Sequence, residues 1–123
     1  MIEIFLLLFL FQVKHFVCDY PLQTQYMLGK MSRSGWVKPL ASHAAIHAVG
    51  TIVVSLMFVP TLIALCLAIA DFVLHFIVDR VKASPDLGGR WKPDQPYFWL
   101  ALGADQMAHH LINYVFIYVI VTW

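Results

Sequence analysis

The amino-acid sequence predicts an all-α protein in which four antiparallel transmembrane helices form one bundle. Of its 123 residues, 61% are hydrophobic and only 12% are charged, and the mean hydropathy is +0.76. Soluble domains usually carry about 25% charged residues, so this composition is typical of a membrane protein. Four apolar segments are also long enough to cross a hydrocarbon core about 30 Å thick, which takes about 20 residues of helix.

Polar loops and prolines divide the chain into these segments, which together form a single domain, residues 1–123. The four predicted helices cover residues 2–27, 39–57, 61–82 and 97–122. The runs LGKMSRSGW and KASPDLGGRWKPDQP are rich in Gly, Pro, Ser and charge, as loops are. Pro39 fits the first turn of a helix, Ser84-Pro85 should end the third helix, and Asp94 is a candidate cap for the fourth.

The boundary between the second and third helices rests on one residue. From Pro39 to Lys82 the sequence stays apolar, and a single helix of that length would measure about 66 Å, more than twice the thickness of the hydrocarbon core. Only Pro60 offers a break, so the sequence predicts a tight turn there.

The basic residues predict the orientation of the bundle. Those in or beside the first and third loops are Lys30, Arg33, Lys38, Arg80, Lys82, Arg90 and Lys92. Because basic residues collect on the cytoplasmic side, both loops should lie in the cytoplasm and both termini outside.

Polar residues inside the predicted helices recur mostly at four-residue spacing, which returns each set to nearly the same helix face one turn along. The sets are His15, Asp19 and Gln23 in the first helix, His43 and His47 in the second, Asp71, His75 and Asp79 in the third, and Asp105, Gln106, His109 and His110 in the fourth. In an antiparallel bundle these stripes meet in one layer near the cytoplasmic helix ends. The outer half of each helix is nearly pure hydrocarbon.

Two interpretations explain this polar layer. An ionisable side chain at such depth costs about 2.5–3.5 kcal/mol, so these residues must face one another. They could simply join the helices through hydrogen bonds. They could also hold a divalent metal ion, because imidazole and carboxylate are ligands of zinc, manganese and iron and helix bundles build metal sites from facing stripes. The residue types taken together favour the metal site, with zinc first and manganese or iron as alternatives.

The runs HFVCDYPLQTQYM, SHAAIHAVG, LHFIVDRVK and ADQMAHH resemble, in this order, the domain-of-unknown-function 3307 family of small bacterial and phage membrane proteins. The resemblance covers nearly the whole chain. It implies functional positions at His15, Asp19, Gln23, His43, His47, His75, Asp79, Lys82, Asp105, Gln106 and His109. Asp71 and His110 fall outside the family pattern. A looser similarity to inner-membrane metal-dependent hydrolases implies a bacterial inner-membrane location and a class of chemistry.

Sequence and resemblance together assign roles to individual side chains. The candidate metal ligands are His15, Asp19, His43, His47, His75, Asp79, Asp105 and His109, among which His43, His47, Asp79 and Asp105 are preferred. The candidate catalytic residues are Asp19, Asp105 and His109. The candidate substrate-binding residues are Gln23 and Lys82. Lys82 would bind a substrate phosphate, although a lysine that only extends to the membrane interface is the simpler explanation.

The leading hypothesis is metal-dependent hydrolysis of a lipid or lipid-linked substrate near the cytoplasmic face, since a bound cation activates water and polarises a phosphoryl or acyl oxygen. A metal or proton transport or chaperone element is the main alternative, because intramembrane His and Asp chains are typical of ion paths. The apolar outer half argues against it. A non-catalytic membrane interaction module, with or without homo-oligomerisation, is the third. Eight Lys+Arg against seven Asp+Glu exclude a basic nucleic-acid binder.

Overall fold

The chain folds into four long helices without any strand. The computed structural model describes residues 1–123. The helices are α1 (Ile2–Asp19), α2 (Val37–Ser55), α3 (Thr61–Ala83) and α4 (Pro96–Thr122). Two short 3₁₀ turns, Met27–Met31 and Gly88–Arg90, lie in the first and third loops. The all-helical fold and the number of helices are therefore confirmed.

The four helices pack as a closed ring. Each helix lies beside the next one in the chain, and α4 returns to contact α1. Asp19, at the end of α1, contacts His43 and His47 in the first half of α2, which makes these neighbours antiparallel. Every helix thus presents one face to a shared interior.

The first helix ends at Asp19, well before the predicted end at residue 27. Pro21 explains the difference, because proline lacks the N–H that a continued helix would donate to the backbone oxygen of Val17, and the N–H of Leu22 takes that oxygen instead at 3.0 Å. The expectation that Gln23 continues the helical stripe of His15 and Asp19 is therefore wrong. Gln23 instead lies in the first loop.

The other helix ends follow the sequence signals, apart from one cap. Pro39 lies in the first turn of α2, Pro60 directly precedes α3, and Ser84 directly follows it. The cap predicted at Asp94 is wrong. Pro96 is the first residue of α4 and holds Gln95 in extended backbone with φ −105° and ψ 136°, so Gln95 occupies the cap position. Its Oε1 atom accepts a hydrogen bond from Lys92 N–H and caps no N–H of the helix.

Two helices, α2 and α3, are long and apolar enough to cross a membrane. Charged and polar residues set α1 and α4 apart from these two helices. Helix α1 carries Glu3, Lys14 and Asp19, and the polar stripe of α4 lies in the middle of its length. The membrane prediction is thus supported for two helices by length and composition, and four spans stay a prediction.

The interior of the bundle is divided into an apolar and a polar half. The apolar core contains Leu7, Phe11, Val54, Val59, Ala64, Leu67, Phe116, Ile117 and Ile120. It lies at the end of the bundle that holds both chain termini and the Pro60 turn. The rings of Phe11 and Phe116 lie 6.4 Å apart in it. The polar stripes occupy the half nearer the first and third loops.

Candidate metal centre

Nearly half of the 30 buried residues are polar or charged. Ionisable side chains are almost never buried unless they are paired or hold a metal ion, because their desolvation is costly. The buried ionisable residues are Lys14, His15, Lys30, His43, His47, Asp71, His75, Asp79, Asp105 and His109. The predicted polar layer therefore exists, and its members lie inside the bundle.

The carboxylate of Asp19 gathers three histidines from α1 and α2. Its Oδ1 atom lies 2.9 Å from His47 Nε2 and 3.4 Å from His43 Nε2. Its Oδ2 atom lies 3.1 Å from His15 Nε2. The position at the end of α1 leaves Asp19 half-buried, so this carboxylate joins the buried histidines to the surface.

The carboxylate of Asp79 is the second point of convergence. Its Oδ1 atom lies 3.0 Å from His109 Nε2 and 3.6 Å from His75 Nε2. Its Oδ2 atom lies 2.6 Å from Lys30 Nζ and 3.3 Å from His43 Nε2. Residues from the first loop, α2, α3 and α4 thus meet at one side chain.

Two groups of side chains can each hold a metal ion, because their ligand atoms all lie within 4.8 Å of one another. We call them the metal groups. They are Asp19, His43, His47 and His75, and His75, Asp79 and His109. His75 belongs to both groups, so the two positions are adjacent. Six of the eight predicted ligands are brought together in this way.

Three imidazole rings form a stack through the metal groups. The ring of His75 lies 3.6 Å from that of His47 and 4.0 Å from that of His109, measured between centroids. The stack joins α2, α3 and α4 and fixes the directions in which the ring nitrogens point.

Four buried ring nitrogens lack any hydrogen-bond partner: Nδ1 and Nε2 of His43, Nδ1 of His47 and Nε2 of His75. The two Nε2 atoms lie within 3.6 Å of carboxylate oxygens. Buried polar atoms are hydrogen-bonded in the great majority of cases, so unpartnered ones call for an explanation. A cation between imidazole and carboxylate would supply the missing partner, and the residues present therefore fit a metal ion.

Asp105 and His15, both predicted ligands, lie beside the metal groups rather than in them. Asp105 Oδ1 is 3.4 Å from His109 Nε2 and has no hydrogen-bond partner. Asp105 Oδ2 accepts a hydrogen bond of 3.1 Å from Gln106 Nε2. Gln106 Oε1 in turn lies 3.1 Å from His15 Nε2. These side chains form a polar chain along one edge of the centre.

Two lysines complete the polar layer, and sequence reasoning missed the role of both. Lys14 Nζ lies 2.7 Å from Asp71 Oδ2, which also accepts a hydrogen bond of 2.6 Å from Thr51. The sequence placed Lys30 only among the basic residues in or beside the first loop, yet it is 7% exposed and paired with Asp79. The one available signal was Lys14, which lies inside the apolar sequence of α1, because a charge at such a position needs a buried partner.

The residues outside the family pattern lie at the edges of the centre. Asp71 is the partner of Lys14, and its Oδ1 atom lies 3.9 Å from His75 Nδ1. The ring of His110 lies 5.6 Å from that of His15, and its side chain is only half-buried. Neither residue belongs to a metal group, as the family pattern implied.

The charges of the polar layer do not balance. The buried carboxylates are Asp71, Asp79 and Asp105, and the buried ammonium groups are Lys14 and Lys30. Asp19 and Lys82 are both half-buried and offset each other. With neutral imidazoles, the layer therefore holds one excess negative charge, which a protonated imidazole or a bound cation would neutralise.

A polar pocket of about 150 Å³ opens from the centre toward the loops. Among its lining residues are Asp19, Gln23, Lys30, Asp79, Lys82 and Asp105. The loop position of Gln23 therefore still brings it to the site, together with Lys82. Lys82 is half-buried and makes no ion pair or side-chain hydrogen bond, so its charge is free to bind an anion.

A match to a protein family includes every residue of the centre. A family model described as "Protein of unknown function (DUF3307)" matches residues 6–123. No curated protein and no solved structure matches the chain. The family resemblance of the sequence is thereby confirmed.

Proposed function

The chain belongs to the DUF3307 family, and on that premise we propose that it is a four-span membrane protein whose His/Asp centre binds a divalent metal ion and hydrolyses a lipid or lipid-linked substrate. The observation that carries the proposal is the pair of metal groups that share His75. Zinc suits a site of imidazole and carboxylate ligands best. The bacterial inner membrane, with both termini outside, is the proposed location.

The surface of the bundle supports the membrane part of the proposal. Large apolar side chains lie on the outside of every helix, and Phe9, Leu62 and Ile69 are each more than 60% exposed. Soluble monomers rarely expose apolar patches larger than a few hundred Å². A polar interior inside an apolar exterior is the arrangement that a lipid environment favours, since ionisable groups in spans face the bundle interior.

The metal part of the proposal rests on the two metal groups and on the unpartnered Nε2 atoms of His43 and His75. A polar core held by hydrogen bonds alone would leave these two nitrogen atoms without a partner. The residues that would hold the ion are those of the metal groups. A bound divalent cation supplies Lewis acidity toward water and toward a phosphoryl or acyl oxygen.

The side chains around the polar pocket supply the remaining functions. Asp105 Oδ1 has no hydrogen-bond partner and can accept a proton from a hydroxyl group or a water molecule in the pocket. His109, between Asp79 and Asp105, is held in position by both carboxylates. The free ammonium group of Lys82 would orient an anionic head group, and Gln23 would add a hydrogen bond.

Transport of a metal ion or proton is the second candidate. Thr51, Ser55 and Asn113 are buried inside the bundle and extend the polar layer beyond Lys14 and Asp71. Beyond these residues the apolar core fills the interior. A conduction path needs polar groups or water along its whole length, so we favour hydrolysis. Metal flux into proteoliposomes that depends on Asp105 would reverse this preference.

Metal content is the first experiment. We expect detergent-purified protein to contain a stoichiometric divalent metal by elemental analysis. The double variant H43Q/H47Q keeps polarity and approximate size but loses two ligands, so its metal content should fall sharply. The control is H110Q, which replaces a histidine outside both metal groups. Metal-free wild-type protein, or full metal content in a correctly inserted double variant, would overturn the metal centre.

Hydrolysis is the second experiment. Metal-loaded protein is incubated with phospholipids and alkyl phosphates, and released phosphate and fatty acid are measured. We expect D105N to lose activity while it keeps its metal, because Asp105 lies outside the metal groups. The control D86N changes an exposed carboxylate of the third loop. Equal activity of D105N and wild type would remove Asp105 from the proposed mechanism.

A further inference from the structure

Two apolar grooves run along the outside of the bundle. One lies between α1 and α2, has a volume of about 500 Å³ and is lined in part by Val13, Val17, Ala45 and Val49. The other lies between α3 and α4, has a volume of about 330 Å³ and is lined in part by Ile77, Val81, Ala104 and Ala108. We call them the α1/α2 groove and the α3/α4 groove. They differ in what lies at their polar ends.

The α3/α4 groove is continuous with the candidate centre. Lys82 and Asp105 line both this groove and the polar pocket. The side chain of Asp105 is only 4% exposed, and its Oδ1 atom has no hydrogen-bond partner. A buried, unpartnered carboxylate oxygen and an unpaired lysine therefore meet at the end of an apolar channel. Neither the Oδ1 atom of Asp105 nor the ammonium group of Lys82 has a hydrogen-bond partner within the chain.

Small side chains keep the α3/α4 groove open. Ala101, Ala104 and Ala108 are spaced three and four residues apart, so they share one face of α4. Their methyl groups face the apolar side chains of Ile77 and Val81 on α3. Larger residues at these positions would fill the space between the helices.

The α1/α2 groove is larger but ends without a free polar group. Lys14 is the one charged residue that lines it, and its ammonium group is already paired with Asp71. Cys18 is the only other polar side chain there. No residue of the metal groups reaches this groove. Its size therefore gives no reason to assign it a ligand.

We propose that the α3/α4 groove holds the alkyl chain of an amphipathic phosphate ester, with the phosphate group bound by Lys82 in the polar pocket. Asp105 Oδ1 then accepts a hydrogen bond from an O–H of the head group or of a water molecule. The occupant is argued from charge complementarity at Lys82 and from the continuity of the groove with the pocket. This inference rests on the proposed function and specifies its substrate class and its route of entry, sideways from the lipid.

Photolabelling tests the proposal directly. The probe is hexadecyl phosphate that carries a diazirine on the alkyl chain, added to metal-loaded protein in detergent. We expect mass spectrometry to find the label on α3 and α4 along the groove. Unlabelled hexadecyl phosphate should compete for the label, and inorganic phosphate should not. Equal competition by inorganic phosphate would show a free-phosphate site, and label spread over all helices would show unspecific lipid contact; either result overturns the proposal.

Two matched variants separate the grooves. Replacement A104L fills the α3/α4 groove and should weaken labelling roughly tenfold, which corresponds to about 1.4 kcal/mol of binding free energy. The control A45L makes the same change in the α1/α2 groove and should leave labelling unchanged. If A104L fails to fold, A108L replaces it. A loss of labelling in A45L but not in A104L or A108L would show that the alkyl chain of the probe lies in the α1/α2 groove.

The charge at the end of the groove has its own test. We expect K82Q to weaken binding of hexadecyl phosphate roughly tenfold, or about 1.4 kcal/mol, and to leave metal content unchanged. Full affinity for hexadecyl phosphate in K82Q would show that Lys82 does not bind the phosphate group. A disulfide between two copies of A104C would show that a second chain covers the groove, and this too would contradict the proposal.

Metal analysis of the same samples distinguishes a failure of the alkyl-chain site from a failure of the metal centre. Stoichiometric metal with no label in the α3/α4 groove would reject the alkyl-chain site and leave the metal centre intact. Protein without metal would reject the proposed function whatever the labelling pattern.

Discussion

The ammonium group of Lys30 lies 2.6 Å from Asp79 Oδ2, although Lys30 belongs to the first loop and Asp79 to α3. The other oxygen of the same carboxylate lies 3.0 Å from His109 Nε2 on α4. Arg80 strengthens the tie, because it donates a hydrogen bond of 3.2 Å to the backbone oxygen of Lys30. One carboxylate therefore connects the loop, two helices and the candidate centre.

Replacement of Asp79 by Asn should affect both metal binding and stability. The variant D79N loses a ligand and leaves the buried ammonium group of Lys30 without its counter-charge. Breaking a buried ion pair from one side costs about 3–5 kcal/mol. We expect a drop of this size in the free energy of unfolding in detergent, together with loss of metal.

The matched control for this variant is D86N. Asp86 pairs with Arg33, but both side chains are about 70% exposed, and exposed pairs contribute only about 0–1 kcal/mol. A loss of stability in D86N as large as that in D79N would contradict the assignment of Asp79 as a buried point of convergence.

The buried pair of Lys14 and Asp71 makes a prediction about non-additivity. We expect K14M to lower the free energy of unfolding by about 3–5 kcal/mol, because the carboxylate of Asp71 stays buried without its partner. The double variant K14M/D71M removes both charges and should be more stable than K14M. Denaturant titration in detergent measures all three proteins. Losses that simply add would mean that the two side chains do not interact.

The third loop depends on a glycine that leaves no room for a side chain. A Cβ atom at Gly89 would collide with the backbone oxygen of Ala83, which cannot move easily at the end of α3. We expect G89A to lower the free energy of unfolding by about 1–3 kcal/mol. Thermal unfolding in detergent measures this loss.

Gly103 provides the opposite control for the loop. It lies inside α4 with open space around its Cα, so G103A should stabilise the protein by about 0.5–1 kcal/mol through helix propensity. If G89A and G103A changed the free energy of unfolding in the same direction, close packing at Gly89 would not be the reason that a side chain is excluded there.

Removal of the metal should destabilise the wild-type protein. A ligand that binds only the folded state at about 100 times its dissociation constant stabilises it by about 2.7 kcal/mol. We expect chelation to remove a stabilisation of this order and added zinc to restore it. The variant H43Q/H47Q should respond to neither treatment. An identical unfolding curve before and after chelation would show that no bound metal stabilises the fold.

The orientation can be tested by labelling from each side of the membrane. In a C66A background, S34C reports on the first loop and M57C on the turn before Pro60; both positions are exposed. We expect a membrane-impermeant maleimide to label M57C in intact cells and S34C only after disruption. The reverse pattern would place the first and third loops, and the polar pocket with them, outside the cell.

The sequence predicted the fold well because helix length, proline position and four-residue spacing are local properties of the chain. Histidine and aspartate stripes define helix faces, and antiparallel order brings these faces to one depth. The predicted end of α1 was wrong because the pattern of apolar and polar residues after Pro21 is compatible with a helix, so it gave no reason to end the helix earlier. Pro21 itself was the signal that should have ended the helix.

The partners within the centre could not be read from the sequence. Lys30 meets Asp79 across 49 positions, and such a contact depends on how a loop folds over the helix ends. The same holds for Asp105, which the sequence ranked as a leading ligand but which lies just outside the metal groups. Spacing along one helix places a side chain on a face, whereas ligand sets depend on the rotation of neighbouring helices.

The order of the charged partners along the chain has a consequence for biosynthesis. Lys14 pairs with Asp71 and Lys30 pairs with Asp79, so all four of these charges are neutralised among the first three helices. A nascent chain could therefore settle as a three-helix intermediate before α4 leaves the ribosome. His109 and Asp105, which complete the centre, are both on α4. The metal group of Asp19, His43, His47 and His75 would thus be assembled from the first three helices, and the group that contains His109 would form only when the last helix arrives.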